Sequence, residues 1–158
     1  MLYEIGDKVL DEWVITRTIG EGSYGKVVEI ERNEFGLSMK SALKIISIPG
    51  NNSEIKAVMG EGVDNKSITS YFYGFVEEII KKIAIMSELK GHTNIVTYED
   101  HRVIPHEDHI GWDILIRMEL LTSLLDYSEE HEITEQTVIK LGTDILTELE
   151  VCQKYHVV

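Results

Sequence analysis

Nine residues carry the first chemical signal: Ile19-Gly20-Glu21-Gly22-Ser23-Tyr24-Gly25-Lys26-Val27, with the spacing G-x-G-x-x-G-x-V. Glycines so placed let a backbone turn tightly and approach a phosphate with no Cβ in the way. They also occur in ordinary hairpins. The second signal is Lys44, inside the apolar run Ser41-Ala42-Leu43-Lys44-Ile45-Ile46. Taken alone, a lysine in such a run reads as the solvent-facing residue of an alternating strand.

The flanking residues say what kind of loop the glycines make. Trp13-Val14-Ile15-Thr16-Arg17-Thr18-Ile19 before it and Val27-Val28-Glu29-Ile30-Glu31 after it are β-type runs without helical period. A dinucleotide fingerprint needs strand, glycines, then helix. The order here is strand, glycines, strand, so the loop is read as the tip of a hairpin, as in a glycine flap that folds over a nucleotide. A turn at Asn33-Glu34-Phe35-Gly36 and a third strand over 38–48 follow.

With Ala42 and Lys44 added to Gly20, Gly22, Gly25 and Val27, the chain resembles the amino-terminal lobe of a eukaryotic-type serine/threonine protein kinase. The resemblance implies an α+β fold, a five-stranded antiparallel sheet with one long helix. It places that lobe and its hinge over residues 1–121, and two helices of an incomplete helical lobe over 122–158. It further implies that Ile19, Gly20, Gly22, Ser23, Gly25 and Val27 cover ATP, with Ala42 among the residues around the nucleotide. Lys44 would contact its α- and β-phosphates. Met118-Glu119-Leu120-Leu121 resembles the hinge, so Met118, Glu119 and Leu121 would border adenine. The family reaction moves phosphate from ATP to a protein hydroxyl, with Mg2+ bridging the phosphates.

The rest of the chain is read from its periods and breakers. Residues 1–12 form a leader whose Tyr3, Ile5 and Val9 can pack on the first strand. Pro49-Gly50-Asn51-Asn52-Ser53 stops the third strand, and 54–66 reads as a partly helical insertion broken at Gly60, Gly62 and Asn65. Ile68, Tyr71, Phe72, Phe75, Ile79, Ile83, Met86 and Leu89 predict a helix over about 67–90, capped by Asn65 or Ser67 and ended by Gly91. Gly74 inside it suggests a close contact or a bend. Two strands are expected around Asp100–Ile104 and Trp112–Glu119. A short helix over Ser123–Glu130 and a last helix capped by Thr134 complete the chain. The last helix carries the apolar stripe Val138, Leu141, Ile145, Leu149 and Cys152.

Two departures from the family stand out. A kinase holds its third-strand lysine with a glutamate from the long helix. Family spacing puts Lys82 at that position, with Glu78 one turn earlier on the same stripe. Either Glu78 pairs with Lys82 as an i,i+4 neighbour, or Lys44 lacks its partner and Glu78 is the nearest substitute. The second departure is that neither H-R-D-x-x-x-x-N nor D-F-G occurs in these 158 residues. The family's catalytic base and Mg2+ ligands are therefore missing from this sequence.

Composition bounds the remainder. There are 28 Asp and Glu against 15 Lys and Arg, a net charge of −13. That argues against nucleic-acid binding, which needs a basic face, and against anionic membranes. At an ATP site positive groups must then be local, at Lys26 and Lys44. A single cysteine, Cys152, fits a reducing, cytoplasmic setting and reads as buried filler. No apolar run reaches the length of a membrane span, and the amino terminus shows no signal-peptide pattern. His101, His106 and His109 lack the spacing of a zinc site. The stripe on the last helix predicts self-association or a protein partner. Two functions remain in view: the ATP-binding portion of a kinase, inactive on its own, and a non-catalytic kinase-like interaction module.

Overall fold

The computed structural model of the protein describes residues 3–22, 25–59 and 64–155. In chain order the elements are β1 (Lys8–Val9), β2 (Trp13–Gly22), β3 (Gly25–Glu34), β4 (Leu37–Ile48), α1 (Asn52–Met59), α2 (Asn65–Glu88), β5 (Tyr98–Pro105), β6 (Trp112–Met118), α3 (Leu124–Glu130) and α4 (Glu135–Lys154). The strands form one six-stranded sheet in the order β1-β2-β3-β4-β6-β5, every pair antiparallel. Phe35 and Gly36, both at positive φ, make the two-residue turn between β3 and β4. That matches the primed turns whose twist suits a hairpin.

Successive side chains of a strand point to opposite faces, and both faces of this sheet are covered. One face packs Trp13, Ile15, Val28, Ile30, Leu43, Ile45 and Leu115 around Val9, with Tyr3 and Leu10 of the leader against them. The other packs Ile48, Ile114 and Ile116 against α2, which contributes Ile68, Phe72, Val76 and Ile83. Those four recur at helical spacing and give α2 its buried stripe. Burial on both faces explains why β6 reads as a continuous apolar run: Ile114 and Leu115 are adjacent and both fully buried.

The start of α2 is capped by Asp64, whose Oδ1 accepts from the Ser67 N–H at 2.7 Å. This replaces the expected Asn65 or Ser67; Asp64 is the residue with an extended backbone and a carboxylate that reaches the first turn. At the far end Gly91 takes φ +97, as the stop signal requires. Open space surrounds Gly74, so no close contact explains that glycine. The expected breakers Gly60 and Gly62 lie outside the described residues.

The expected α+β fold, a kinase-like amino-terminal lobe with five strands and one long helix, is not the one that forms. The sheet instead has six strands and curls into a half-barrel, with α1 and α2 between β4 and β5 and α3 and α4 after β6. The extra strand comes from the leader. Leu10 and Asp11, both at positive φ, turn the chain so that Lys8 and Val9 pair with Val14 and Trp13. Two residues are too few to show a period in the sequence. The curl is fastened across its edges: Arg102 of β5 donates to both carboxylate oxygens of Asp11, at 3.0 and 2.8 Å. Inside the curl, the Arg117 guanidinium lies 4.9 Å from the Trp13 ring centre.

Helices α3 and α4 start at Ser123 and Thr134, whose side chains accept from the N–H groups of Asp126 and Thr137. Thr134 is the cap expected from the sequence. No residue of either helix is buried. Cys152 is half-buried rather than filler in a core. No described helix is long and apolar enough to cross a membrane.

Candidate functional site

The glycines sit where strand–glycine–strand order predicts, at the tip of the β2–β3 hairpin. Gly20 pairs with Val27, Glu21 with Lys26, and Gly22 with Gly25; Ser23, expected to cover ATP, lies with Tyr24 outside the described residues. A register shift between Thr18 and Gly20 lets Ile19 bulge from the ladder, and its side chain is exposed.

The three glycines are not equivalent. Gly25 has φ +112, and a Cβ there would collide with the Ile45 carbonyl oxygen of β4. Its other neighbours would be Ile45 C at 3.2 Å and Ile46 Cα at 3.3 Å, all backbone. Gly25 is therefore demanded by the fold itself. Neither Gly20 nor Gly22 has a positive φ, and nothing described lies within 4 Å of a Cβ built on either. Their lack of a side chain serves no contact inside the described chain.

Strand register gathers most of the remaining residues on the sheet face toward α2. One cross-strand row runs Gly20–Val27–Lys44–Ile116. The next runs Arg17–Glu29–Ala42–Met118. Lys44 is half-buried, Ala42 is buried, and Met118 packs at the border of the α2 core. Among the described residues no ion pair joins Lys44 to a carboxylate.

Sequence reasoning missed the charges beside this row. Glu29 is buried, and its carboxylate lies 2.6 Å from Arg17 Nε and 2.9 Å from Lys40 Nζ. Hydrogen bonds from Lys40 and then Arg17 hold the Glu29 carboxyl below the ordinary carboxylate range. The signal was the period of two, which puts Glu29 on the same face as Val27. Lys26, expected to stand with Lys44, points to the opposite face; its Nζ donates to the Tyr3 carbonyl at 2.9 Å. One residue of register separates the two lysines, and that suffices to part them.

Among the described residues no ion pair joins Lys44 to Glu78 of the long helix. Glu78 is exposed and accepts from Lys81 Nζ at 2.6 Å, an i,i+3 pair in place of the considered pairing with Lys82. That lysine holds the Glu78 carboxyl below its ordinary range. Lys82 is exposed on the flank of α2, next to buried Ile83. Past β6, the Glu119 N–H donates to the Thr97 carbonyl at 2.9 Å, and its carboxylate accepts from the Thr97 N–H at 3.3 Å. Glu119 thus ties the end of β6 to the start of β5. Leu121 is exposed beyond it.

A second polar centre lies at the other end of β4 and β6. Asp113 is buried and accepts from Ser47 Oγ at 2.6 Å and Tyr3 Oη at 3.1 Å, with His106 Nε2 3.0 Å away. Burial pushes the Asp113 carboxyl up, but these partners outweigh it and hold the group below its ordinary range. Burial and the Asp113 charge push the Tyr3 hydroxyl upward. The centre anchors the leader to the sheet. Among the described residues, no three His, Cys, Asp or Glu side chains converge as metal ligands.

No protein-family model matches the chain. The chain is 26% identical over 141 residues to the serine/threonine-protein kinase AKL1 of Saccharomyces cerevisiae, which covers 83% of this chain. It spans only 12% of the length of that relative. Gly20, Gly22, Gly25, Val27, Ala42 and Lys44 thus stand in a chain distantly similar to a serine/threonine protein kinase.

Proposed function

We propose that this chain binds the polyphosphate of ATP at the β2–β3 hairpin and Lys44, and that alone it does not transfer phosphate to protein. The observation that carries the reading is the open backbone at Gly20 and Gly22, with Gly20 in the same cross-strand row as Lys44, an ammonium without a carboxylate partner among the described residues. Backbone without Cβ admits a phosphate, and Lys44 supplies a local positive charge in a chain of net −13. Val27, Ala42 and Met118 give the same face an apolar surface for a base. The distant kinase similarity supports the same reading. ATP, when bound, supplies the transferable phosphoryl group, and Mg2+ would have to come with the nucleotide. The motifs that supply a base and metal ligands in kinases do not occur in this sequence.

A second reading has its own support. Glu78 is held by Lys81, Lys82 stands where the family has its glutamate, and no described α2 carboxylate forms an ion pair with Lys44. A chain without that pairing fits a kinase-related module that acts by binding protein. Calorimetric titration with ATP tests the first reading, and Lys44→Met should weaken the measured affinity. An affinity untouched by that substitution would falsify the assigned site; no ATP binding at all would leave the module reading standing.

A further inference from the structure

Glu29 stands in the interior strand β3 with its side chain only 5% exposed. A buried carboxylate persists where it is paired, and both of its oxygens are taken. Oε2 accepts from Arg17 Nε at 2.6 Å. Oε1 lies 2.9 Å from Lys40 Nζ and accepts from Thr16 Oγ1 at 3.3 Å. With its carboxyl held below the ordinary range, Glu29 stays ionised at neutral pH.

One cation would neutralise Glu29, yet two surround it, and the one from β2 is only partly used. Arg17 gives the carboxylate its Nε–H, one of the five N–H donors of a guanidinium. Its terminal amino groups have no hydrogen-bond partner among the described residues, and the side chain is 62% exposed. Lys40 is placed differently: it stands opposite Glu31, whose charge also draws it. Strand register then says what Arg17 lies beside. It shares the row of Glu29, Ala42 and Met118. Glu29 is also the next residue after Val27 on the same face of β3, about 7 Å along the strand. Gly20 and Lys44 belong to the Val27 row. The Arg17 guanidinium is thus held beside the apolar patch of Val27, Ala42 and Met118, in the row away from Gly20 and Lys44.

We infer that Arg17 contacts the nucleoside end of the bound nucleotide, and that Glu29 is the residue that positions it there. This rests on the reading of the face as a nucleotide site. A guanidinium suits that end: its plane stacks on a base, and its terminal N–H groups donate to base nitrogens or ribose oxygens. The phosphates remain with Lys44 and the open backbone of the hairpin.

Calorimetric titrations of the whole chain with ATP and with inorganic tripolyphosphate, each with Mg2+, separate the two ends of the ligand. Arg17→Ala is expected to lower ATP affinity about five- to tenfold and to leave tripolyphosphate affinity within about twofold. Glu29→Gln, nearly the same shape, should lower ATP affinity in the same selective way, because the guanidinium loses its charged anchor. A merely structural role for Glu29 would weaken both ligands alike. Lys44→Met should weaken both. Arg17 is exposed, so Arg17→Ala leaves the core intact and the test does not depend on the folding of Glu29→Gln. Equal losses for ATP and tripolyphosphate in Arg17→Ala would make Arg17 a bulk charge and overturn the inference. Lys44-dependent ATP binding indifferent to Arg17→Ala would overturn it alone and leave the nucleotide site standing. No ATP binding by the wild-type chain would overturn both.

Discussion

Arg102 and Asp11 are 91 residues apart in sequence and stand at opposite edges of the sheet, yet they meet in a two-pronged ion pair. The pair bridges β5 to the turn between β1 and β2 and so holds the curl closed. Both side chains are solvent-exposed, so the effect is local rather than global. Arg102→Ala should raise amide exchange at Val9 and Trp13 by no more than about fivefold. About 1 M salt should give wild-type protein much of the same increase, because screening then reaches contact distance. Exchange unchanged by either treatment would mean that β1 is held by its ladder alone.

Acid should loosen the leader as well. The carboxyls of Asp11 and Asp113 are both held low, the first by the Arg102 hydrogen bond, the second by its partners against burial. A depressed folded value means the contribution is fully present above the unfolded carboxylate value of about 3.9, and is lost as pH falls through the folded value. Asp113→Asn should cost about 1–3 kcal/mol near neutral pH, since Ser47 and Tyr3 lose a charged acceptor. It should also flatten the acid limb of stability against pH. Denaturant melts across that range, on both proteins, make the comparison.

The glycines should separate by assay. Gly25→Ala meets the backbone of Ile45 and Ile46 at a positive φ, and should cost more than about 2 kcal/mol. Gly22→Ala enters open space and should leave stability within about 0.5 kcal/mol. Under the proposed function, Gly22→Ala nonetheless weakens ATP binding several-fold. Thermal melts and titrations on the two variants give four readings, and a destabilised Gly22→Ala would show an unseen contact at the hairpin tip.

Phosphoryl transfer by the chain alone should stay at background. Lys82→Glu should not change that, because the family's base and metal motifs do not occur in this sequence. Incorporation of label from radioactive ATP into a protein acceptor, dependent on Lys44, would contradict the proposed inactivity.

Much of this was legible where a period or a breaker spoke. The hairpin around Gly20–Gly25, β4, the cap at Thr134 and the stop at Gly91 follow from alternation and local backbone chemistry. The cross-strand gathering of Val27, Ala42, Lys44 and Met118 also follows once strands pair in antiparallel order. What failed depended on tertiary pairing. β1 exists because Leu10 and Asp11 accept positive φ and Val9 finds a core. The partner of Glu78 was decided by a flexible lysine three residues away rather than four. Arg17 and Lys40 could not be joined to Glu29 without register: a β-bulge between Ile15 and Arg17 sets the alignment of Arg17, and the β3–β4 ladder that of Lys40.

β4 places Ala42 and Lys44 toward one core and Leu43 and Ile45 toward the other. Its side chains are therefore interleaved like two messages written on alternate letters. Deleting or inserting one residue there would not merely shorten or lengthen the strand. It would exchange the two messages, turning Lys44 toward the core around Val9 and an isoleucine or leucine toward α2. Length variation in this protein should accordingly be confined to the turns, such as the one at Phe35–Gly36, and β4 should keep its residue count wherever the fold is retained.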